Sequence, residues 1–350
     1  MRRTTTSRKI SEQRQRRAEE KTKKIVDEVY EGSDQVVSTS STLLDLAISG
    51  GRFRGGGVPC GILVEIFGPS QCGKTVLLSA LAGRVLAAGG SPLFHDPEAR
   101  LNKQFARLFD LDMDQIDYTV PDTIPQVFSK VRKWKPSSPP YGIFADSLAA
   151  LSTDLEMATE DGDKMGGRRA KEFSQELRRT CRVLTQKNFL MVCSNQIRQN
   201  MNAGPFGAKY TSPGGEAIGF YSSLRLQGRR PTPIIQEEEV GGKKIKLAIG
   251  VTTEFYVFKS TVWKPYRSAP VTILFDHGID DVRQNLQFIK NYTDTKVYTL
   301  GEKDLAQSMN DAISIIEEDN LEAALREEVI DLWEKIDSLF STKRKKRVYF

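Results

Sequence analysis

One segment constrains this chain more than any other: GPSQCGKT, from Gly68 to Thr75. It fits the pattern G-x-x-x-x-G-K-[ST] and lies between a compact apolar run, Ile62 to Phe67, and the helix-like stretch VLLSALAGRVLAAG. A buried strand running into a glycine-rich turn that opens a helix is the setting in which this pattern carries chemistry. Glycines let successive backbone N–H groups wrap a phosphate, a lysine puts a cation on β- and γ-phosphate oxygens, and a hydroxyl at the last position offers a ligand to Mg²⁺. The segment therefore reads as a nucleoside triphosphate cradle, with Gly68, Pro69, Ser70, Gln71, Cys72, Gly73, Lys74, Thr75 and Val76 around the phosphates. Lys74 carries the charge, and Thr75 is a metal ligand.

The rest of the chain is organised around that turn. Apolar runs recur at SPLFHD, YGIFADS, FLMVCSN and SSLRLQ, separated by helix-like stretches such as RRAKEFSQELRRTCRVLTQ. Alternating strands and helices predict an α/β fold with a mostly parallel twisted sheet covered on both faces. After residue 231 the texture becomes antiparallel, with LAIGVTTEFYVFKS and APVTILFD joined through a Gly-Gly turn at 241–242, and the sheet is expected to end there. The expected units are a basic N-terminal segment at 1–35, a core at 36–275, a small C-terminal α/β domain at 276–340 and a basic tail at 341–350. Residues 1 to about 33 read either as a helical extension needing a partner surface or as a solvated tail. No repeat of 20 to 50 residues is visible.

Composition narrows the class. No run approaches the ~18 consecutive apolar residues that a membrane span needs. Lys and Arg number 51 against 45 Asp and Glu, a net charge of +6. That charge gathers at both ends, MRRTTTSRK…RQRR and KRKKR, as suits a polyanion. The four cysteines, Cys60, Cys72, Cys181 and Cys193, form no CxxC pair, which argues for a reducing compartment and against disulfides or a metal-thiolate site. The Arg-rich start imitates a transit peptide, but Glu12, Glu19 and Glu20 follow at once, so no targeting segment is expected.

Two acidic segments complete the predicted phosphate site. Asp146 ends the strand YGIFADS, where a carboxylate beside the cradle can hold Mg²⁺ through water; an Asp in that position can also simply cap a helix. FHDPEARLN places Asp96 and Glu98 just past another strand. Glu98 is the favoured residue to orient and deprotonate an attacking water, with Asp96 as a helix cap.

In order and spacing these pieces resemble the RecA recombinases of bacteria and their phage relatives, the UvsX proteins. STLLDLAISGG…GILVEIFGPSQCGKT resembles the family's lead-in strand and P-loop, FHDPEA its FIDAEHA, GIFADSLAAL its VVDSVAAL, and CSNQIR its FINQIR. The likeness runs from about residue 36 to 275 and implies a RecA-type P-loop ATPase core. It implies Glu98 as the catalytic glutamate, Gln196 as the γ-phosphate sensor, and Asn102 and Phe105 against adenine, with Phe105 in place of a Tyr.

The resemblance also implies a DNA-binding side. ATEDGDKMGGRRAKE and QNMNAGPFGAKYTSPGG are long Gly-rich loops, and such loops within a compact core are usually functional. In the family they line the filament axis. Met165 and Met201 match positions that insert between base triplets, and Arg168, Arg169, Arg178 and Arg198 are basic candidates, with Phe206 and Lys209 beside them. Phosphate contacts plus apolar or stacking contacts bind without reading sequence.

Implied partners are single-stranded and double-stranded DNA, further copies of the chain in a helical filament, and single-strand-binding and mediator proteins. Implied cofactors are ATP and Mg²⁺, and the implied location is the cytoplasm of a bacterium or of a phage-infected host. The activity implied is ATP-dependent homologous pairing and strand exchange; the alternatives are a helicase-like motor, an ATP-switched DNA-binding filament or a metabolic kinase.

Departures from the family pattern are local. Of two basic residues reaching the neighbouring subunit's γ-phosphate, Lys259 fits the first while Thr261 occupies the second, leaving Lys264 or Arg267 as helpers. Phe220 matches the coupling aromatic, but Gly219 replaces a Lys. The tail, Lys343 to Arg347, is basic where bacterial members are acidic.

Overall fold

The computed structural model describes residues 35–101, 103–109, 111–158, 166–196, 198–199, 210–211, 217–293, 295–342 and 344. Nine strands of the described residues form one sheet: β1 (Leu63–Gly68), β2 (Ser91–His95), β3 (Asp117–Thr119), β4 (Tyr141–Ala145), β5 (Phe189–Gln196), β6 (Leu224–Val240), β7 (Lys243–Ser260), β8 (Ser268–Leu274) and β9 (Gly278–Ile279). Their spatial order is β9-β8-β7-β6-β1-β5-β4-β2-β3. Pairs from β6 through β1, β5, β4 and β2 to β3 are parallel, and β6 to β9 are antiparallel. The expected mostly parallel α/β sheet is what forms.

The period-2 alternation of each strand decides which helices cover which face. Val64, Ile66, Phe94, Phe144, Leu190 and Val192 point to one side. Helix α1 (Thr42–Ser49) and helix α2 (Lys74–Ala87), which follows the P-loop, pack there. Leu63, Leu93, Ile143, Met191 and Cys193 point to the other, under α3 (Ile124–Lys133) and α4 (Gly166–Gln186). Every residue of β1 is buried, as a central parallel strand requires.

Beyond α4 lies the short helix α5 (Ala217–Tyr221). The C-terminal helices α6 (Asp281–Tyr292), α7 (Met309–Glu318) and α8 (Glu322–Leu339) send Leu286, Ile316, Val329 and Ile330 into the same cluster as α1 and α2. Asp281 ties α6 to the start of α1, accepting from Thr42 N and Thr42 Oγ at 2.7 Å each.

Three features differ from the sequence pattern. SSLRLQ is not a strand of its own: its last four residues, from Leu224, open the 17-residue β6, which runs on through IIQEEEV to the turn. Gly241 and Gly242, at φ +59° and +75°, join β6 to β7 and not LAIGVTTEFYVFKS to APVTILFD, and both values lie in the left-handed region that two-residue hairpins demand. The sheet also continues past residue 276, because β9 adds a last antiparallel edge to β8. No described helix is long and apolar enough to cross a membrane.

Candidate nucleotide-binding site

The parallel strands end on one side, and their C-terminal turns gather a cleft there, the usual place for a ligand in open α/β sheets. Ser70, Gln71, Lys74, Thr75, Glu98, Asp146 and Gln196 line one cavity of about 160 Å³. It draws on the ends of β1, β2, β4 and β5.

The P-loop has its shape because of two backbone positions. Gln71 lies at φ +64° and Gly73 at φ +87°. At Gly73 a side chain is excluded sterically too, since a Cβ there would sit 2.4 Å from Ile273 Cδ1. Gly73 is also the N-cap of α2 and offers no side-chain cap, so the first N–H groups of a 14-residue helix remain available to an anion. The Lys74 ammonium donates to Pro69 O at 2.7 Å and Gly68 O at 3.2 Å, which keeps the cation folded over the turn. Burial pushes the Cys72 thiol up from its ordinary value, against the opposing Lys74 charge.

Asp96 and Glu98 both line the cavity but are held differently. Asp96 is buried, and its Oδ2 accepts from Leu101 N at 2.8 Å and Tyr118 Oη at 2.9 Å. Burial and this bond push the Tyr118 phenol up to about 12. Glu98 instead meets Arg100 at 2.7 Å, an arginine whose side chain is 76% exposed and free to swing away. Of these two, Glu98 is the carboxylate less tied to the protein and so more able to turn to a ligand.

Asp146 follows β4 and accepts from the buried Ser194 hydroxyl on β5; a cis peptide joins it to Ser147. Gln196, at the end of β5, is exposed to the cavity, and its backbone N–H donates to Asn195 Oδ1 at 3.1 Å. Phe105 is half-buried, with its ring 5.1 Å from Phe109.

The candidate residues for DNA are only partly within view. Arg168 is exposed in the first turn of α4, and Arg169 donates to the carbonyls of Leu148 and Ala149. Arg178 Nε reaches Tyr221 Oη at 3.5 Å, next to α5. Arg198 has only its backbone described, in a two-residue strand paired with Tyr210–Thr211. Asn102, Met165, Met201, Phe206 and Lys209 lie outside the described residues.

At the predicted subunit boundary, Lys259 Nζ donates to Gly219 O and Phe220 O at 2.9 Å each, and Phe220 is 75% exposed. Burial and the Arg225 charge hold the Lys259 ammonium below its ordinary range. Thr261 is tied back to Ser223 O through its N–H at 2.8 Å. Lys264 and Arg267 both pair with Asp337 on α8, so neither stands beside Lys259 as a spare cation.

Sequence reasoning missed Ser194 and the group formed by buried Glu65 and Asn195 with half-buried Arg225. For Glu65 the signal was present: a charge in the middle of the apolar strand LVEIFG.

The RecA N-terminal domain model matches residues 12–280. The chain belongs to the RecA family. Protein RecA of Delftia acidovorans is 34% identical over 245 residues, covering 70% of this chain and 63% of that protein. Protein RecA of Thermus aquaticus and that of Thermus thermophilus are each 34% identical over 247 residues, covering 71% of this chain and 69% of theirs. The chain thus matches less than two thirds of the length of the Delftia relative.

Proposed function

We infer that this RecA-family chain is a DNA-dependent ATPase that assembles on single-stranded DNA and drives homologous pairing and strand exchange. One observation carries the reading: Lys74, Thr75, Glu98, Asp146 and Gln196, spread over more than a hundred residues of sequence, line a single cavity at the mouth of the P-loop.

The chemistry follows from what each group can do. The free N–H groups at the start of α2 and the Lys74 ammonium receive the β- and γ-phosphates. Among the described residues no three metal-binding side chains of the His, Cys, Asp and Glu types cluster, so a metal would depend on Thr75, on Asp146 through water, and on phosphate oxygens, as suits Mg²⁺. When bound there it would supply charge neutralisation at the phosphates.

Glu98 orients and deprotonates the attacking water for in-line displacement. Lys259, from the adjacent subunit, balances the charge that develops on the γ-phosphoryl group. Gln196 reads the γ-phosphate and passes its presence to the segment after β5, where Met201, Phe206, Lys209 and Arg198 meet DNA with Met165, Arg168, Arg169 and Arg178. Asn102 and Phe105 hold the adenine.

In this reading 36–275 is the ATPase core, flanked by the 1–35 segment, the 276–340 domain and the 341–350 tail. The partners are single-stranded and double-stranded DNA, further copies of the chain, and single-strand-binding and mediator proteins, in a bacterial or phage-infected cytoplasm.

The test is strand exchange between circular single-stranded DNA and homologous linear duplex, with ATP and Mg²⁺, beside Lys74→Ala. Joint molecules from the unsubstituted protein alone are expected. DNA-dependent hydrolysis without joint molecules would replace strand exchange by a motor or a regulatory filament.

A further inference from the structure

Behind the cavity lies a largely buried polar group that the phosphate chemistry does not use. Glu65, in the middle of β1, has a side chain with 0% exposure. Its Oε1 accepts from Asn195 Nδ2 at 3.0 Å and its Oε2 accepts from Arg225 Nε at 2.6 Å. Both carboxylate oxygens are therefore held, one by the nucleotide-facing end of β5 and one by β6. Asn195 in turn accepts from the backbone N–H of Gln196 at 3.1 Å.

Arg225 continues this line in the opposite direction. Its guanidinium lies 4.6 Å from the Phe67 ring centroid and 5.2 Å from that of Phe258, two rings packed edge to face at 5.4 Å. It fills the space that a side chain at residue 219 would need: a Cβ on Gly219 would stand 2.8 Å from Arg225 Cζ. Gly219 and Phe220 are the residues whose carbonyls hold Lys259. Buried ion pairs are expensive to desolvate, and their best-attested use is to fix geometry.

We propose that Glu65 and Arg225 are positioning residues that make the Asn195–Gln196 end of β5 move as one piece with α5, and so with Lys259 and Phe220 at the subunit boundary. The proposal rests on the functional reading above, in which Gln196 meets the γ-phosphate and Lys259 serves the next subunit. A displacement of Gln196 is transmitted because neither oxygen of Glu65 is free to take up slack. It reaches α5 because the Arg225 guanidinium packs into the space left by the missing side chain of Gly219.

The experiment measures ATP turnover by the full chain with and without oligo-dT, together with affinity for a fluorescent ATP analogue. Arg225→Lys keeps the charge and removes the planar fork, and Gly219→Ala crowds the same guanidinium, including the Nε that bonds Glu65, without altering Glu65 itself. In each, DNA stimulation of turnover falls about tenfold, within the span of coupling between linked sites, while analogue affinity stays within about twofold. The double variant falls no further than the lower single one, because both break the same element.

Stimulation within about twofold of the unsubstituted chain in both variants overturns the coupling. So does a loss of analogue affinity in step with stimulation, which would mark Arg225 as merely structural. An unsubstituted chain with no DNA-stimulated turnover overturns the functional reading itself, and the coupling with it.

Discussion

Asp96 and Glu98 stand two residues apart, and the structure makes opposite predictions for removing their charges. Glu98→Gln keeps the shape of the side chain and loses only the pair with the exposed Arg100, so stability changes by less than about 1 kcal/mol. Losing a general base costs about 10²- to 10⁴-fold in turnover, so ATP hydrolysis falls by that factor while ATP is still bound. Asp96→Asn neutralises a buried carboxylate at the cavity wall, leaves Lys74, Thr75, Glu98 and Asp146 in place, and weakens two bonds, from Leu101 N at 2.8 Å and Tyr118 Oη at 2.9 Å. Charge-assisted bonds are worth about 1.5–3 kcal/mol and neutral ones about 1, so over two bonds the loss is about 1–4 kcal/mol of stability, with turnover per folded molecule falling less than about tenfold. Urea unfolding and steady-state hydrolysis on the two variants separate the effects. A Glu98→Gln protein that hydrolyses ATP normally while Asp96→Asn is dead would refute the assignment.

Other perturbations have equally definite outcomes. Burial, aided by Lys130, pushes His95 down to about 4 from an ordinary 6.5, so the unfolded chain binds a proton the folded chain refuses, and this share of stability falls as pH drops from 6.5 toward 4. Asp45, pushed up to about 6 by burial, has the opposite slope between 3.8 and 6, so chemical denaturation of His95→Gln across that range shows stability declining as pH rises, a change of about 3 kcal/mol relative to the unsubstituted chain. Gly73→Ala meets a left-handed φ, worth about 1–2 kcal/mol, and an overlap with Ile273 worth about 1–3. Adding Ile273→Val recovers only the second part in a urea titration. Lys259→Met leaves nucleotide affinity unchanged and lowers DNA-stimulated turnover by about 10³-fold, as read by steady-state hydrolysis; a loss under tenfold would remove it from the site.

How much of this was legible in the sequence depended on how local each signal was. The P-loop and its flanking elements could be read directly, because the turn, the strand before it and the helix after it are contiguous. Asp146 and Glu98 could be nominated because both follow short apolar strands, but their separation from Asp96 needed Tyr118, 22 residues away on β3. The length of β6 was hidden because its outer part, IIQEEEV, is exposed on both faces from Ile235 onward and lacks the apolar run that marks a buried strand. Lys264 and Arg267 looked available only because Asp337 lies 70 or more residues further on.

The departures at 219 and 261 are best understood together with Arg225. In register, Arg225 pairs with Lys259 across β6 and β7, and Thr261 bonds to Ser223 O just beyond the end of that ladder. Positions 219, 225, 259 and 261 are thus one neighbourhood. Burial, and after it the Arg225 charge, already lower the affinity of Lys259 for its proton. A lysine at 219, where the family pattern has one, would place its Cβ 2.8 Å from Arg225 Cζ and a third cation beside two others. Gly219 and the inward pose of Arg225 therefore belong together. Restoring the family residue with Gly219→Lys is expected to lower DNA-stimulated turnover, and a rise above the unsubstituted chain would show that Arg225 gives way freely.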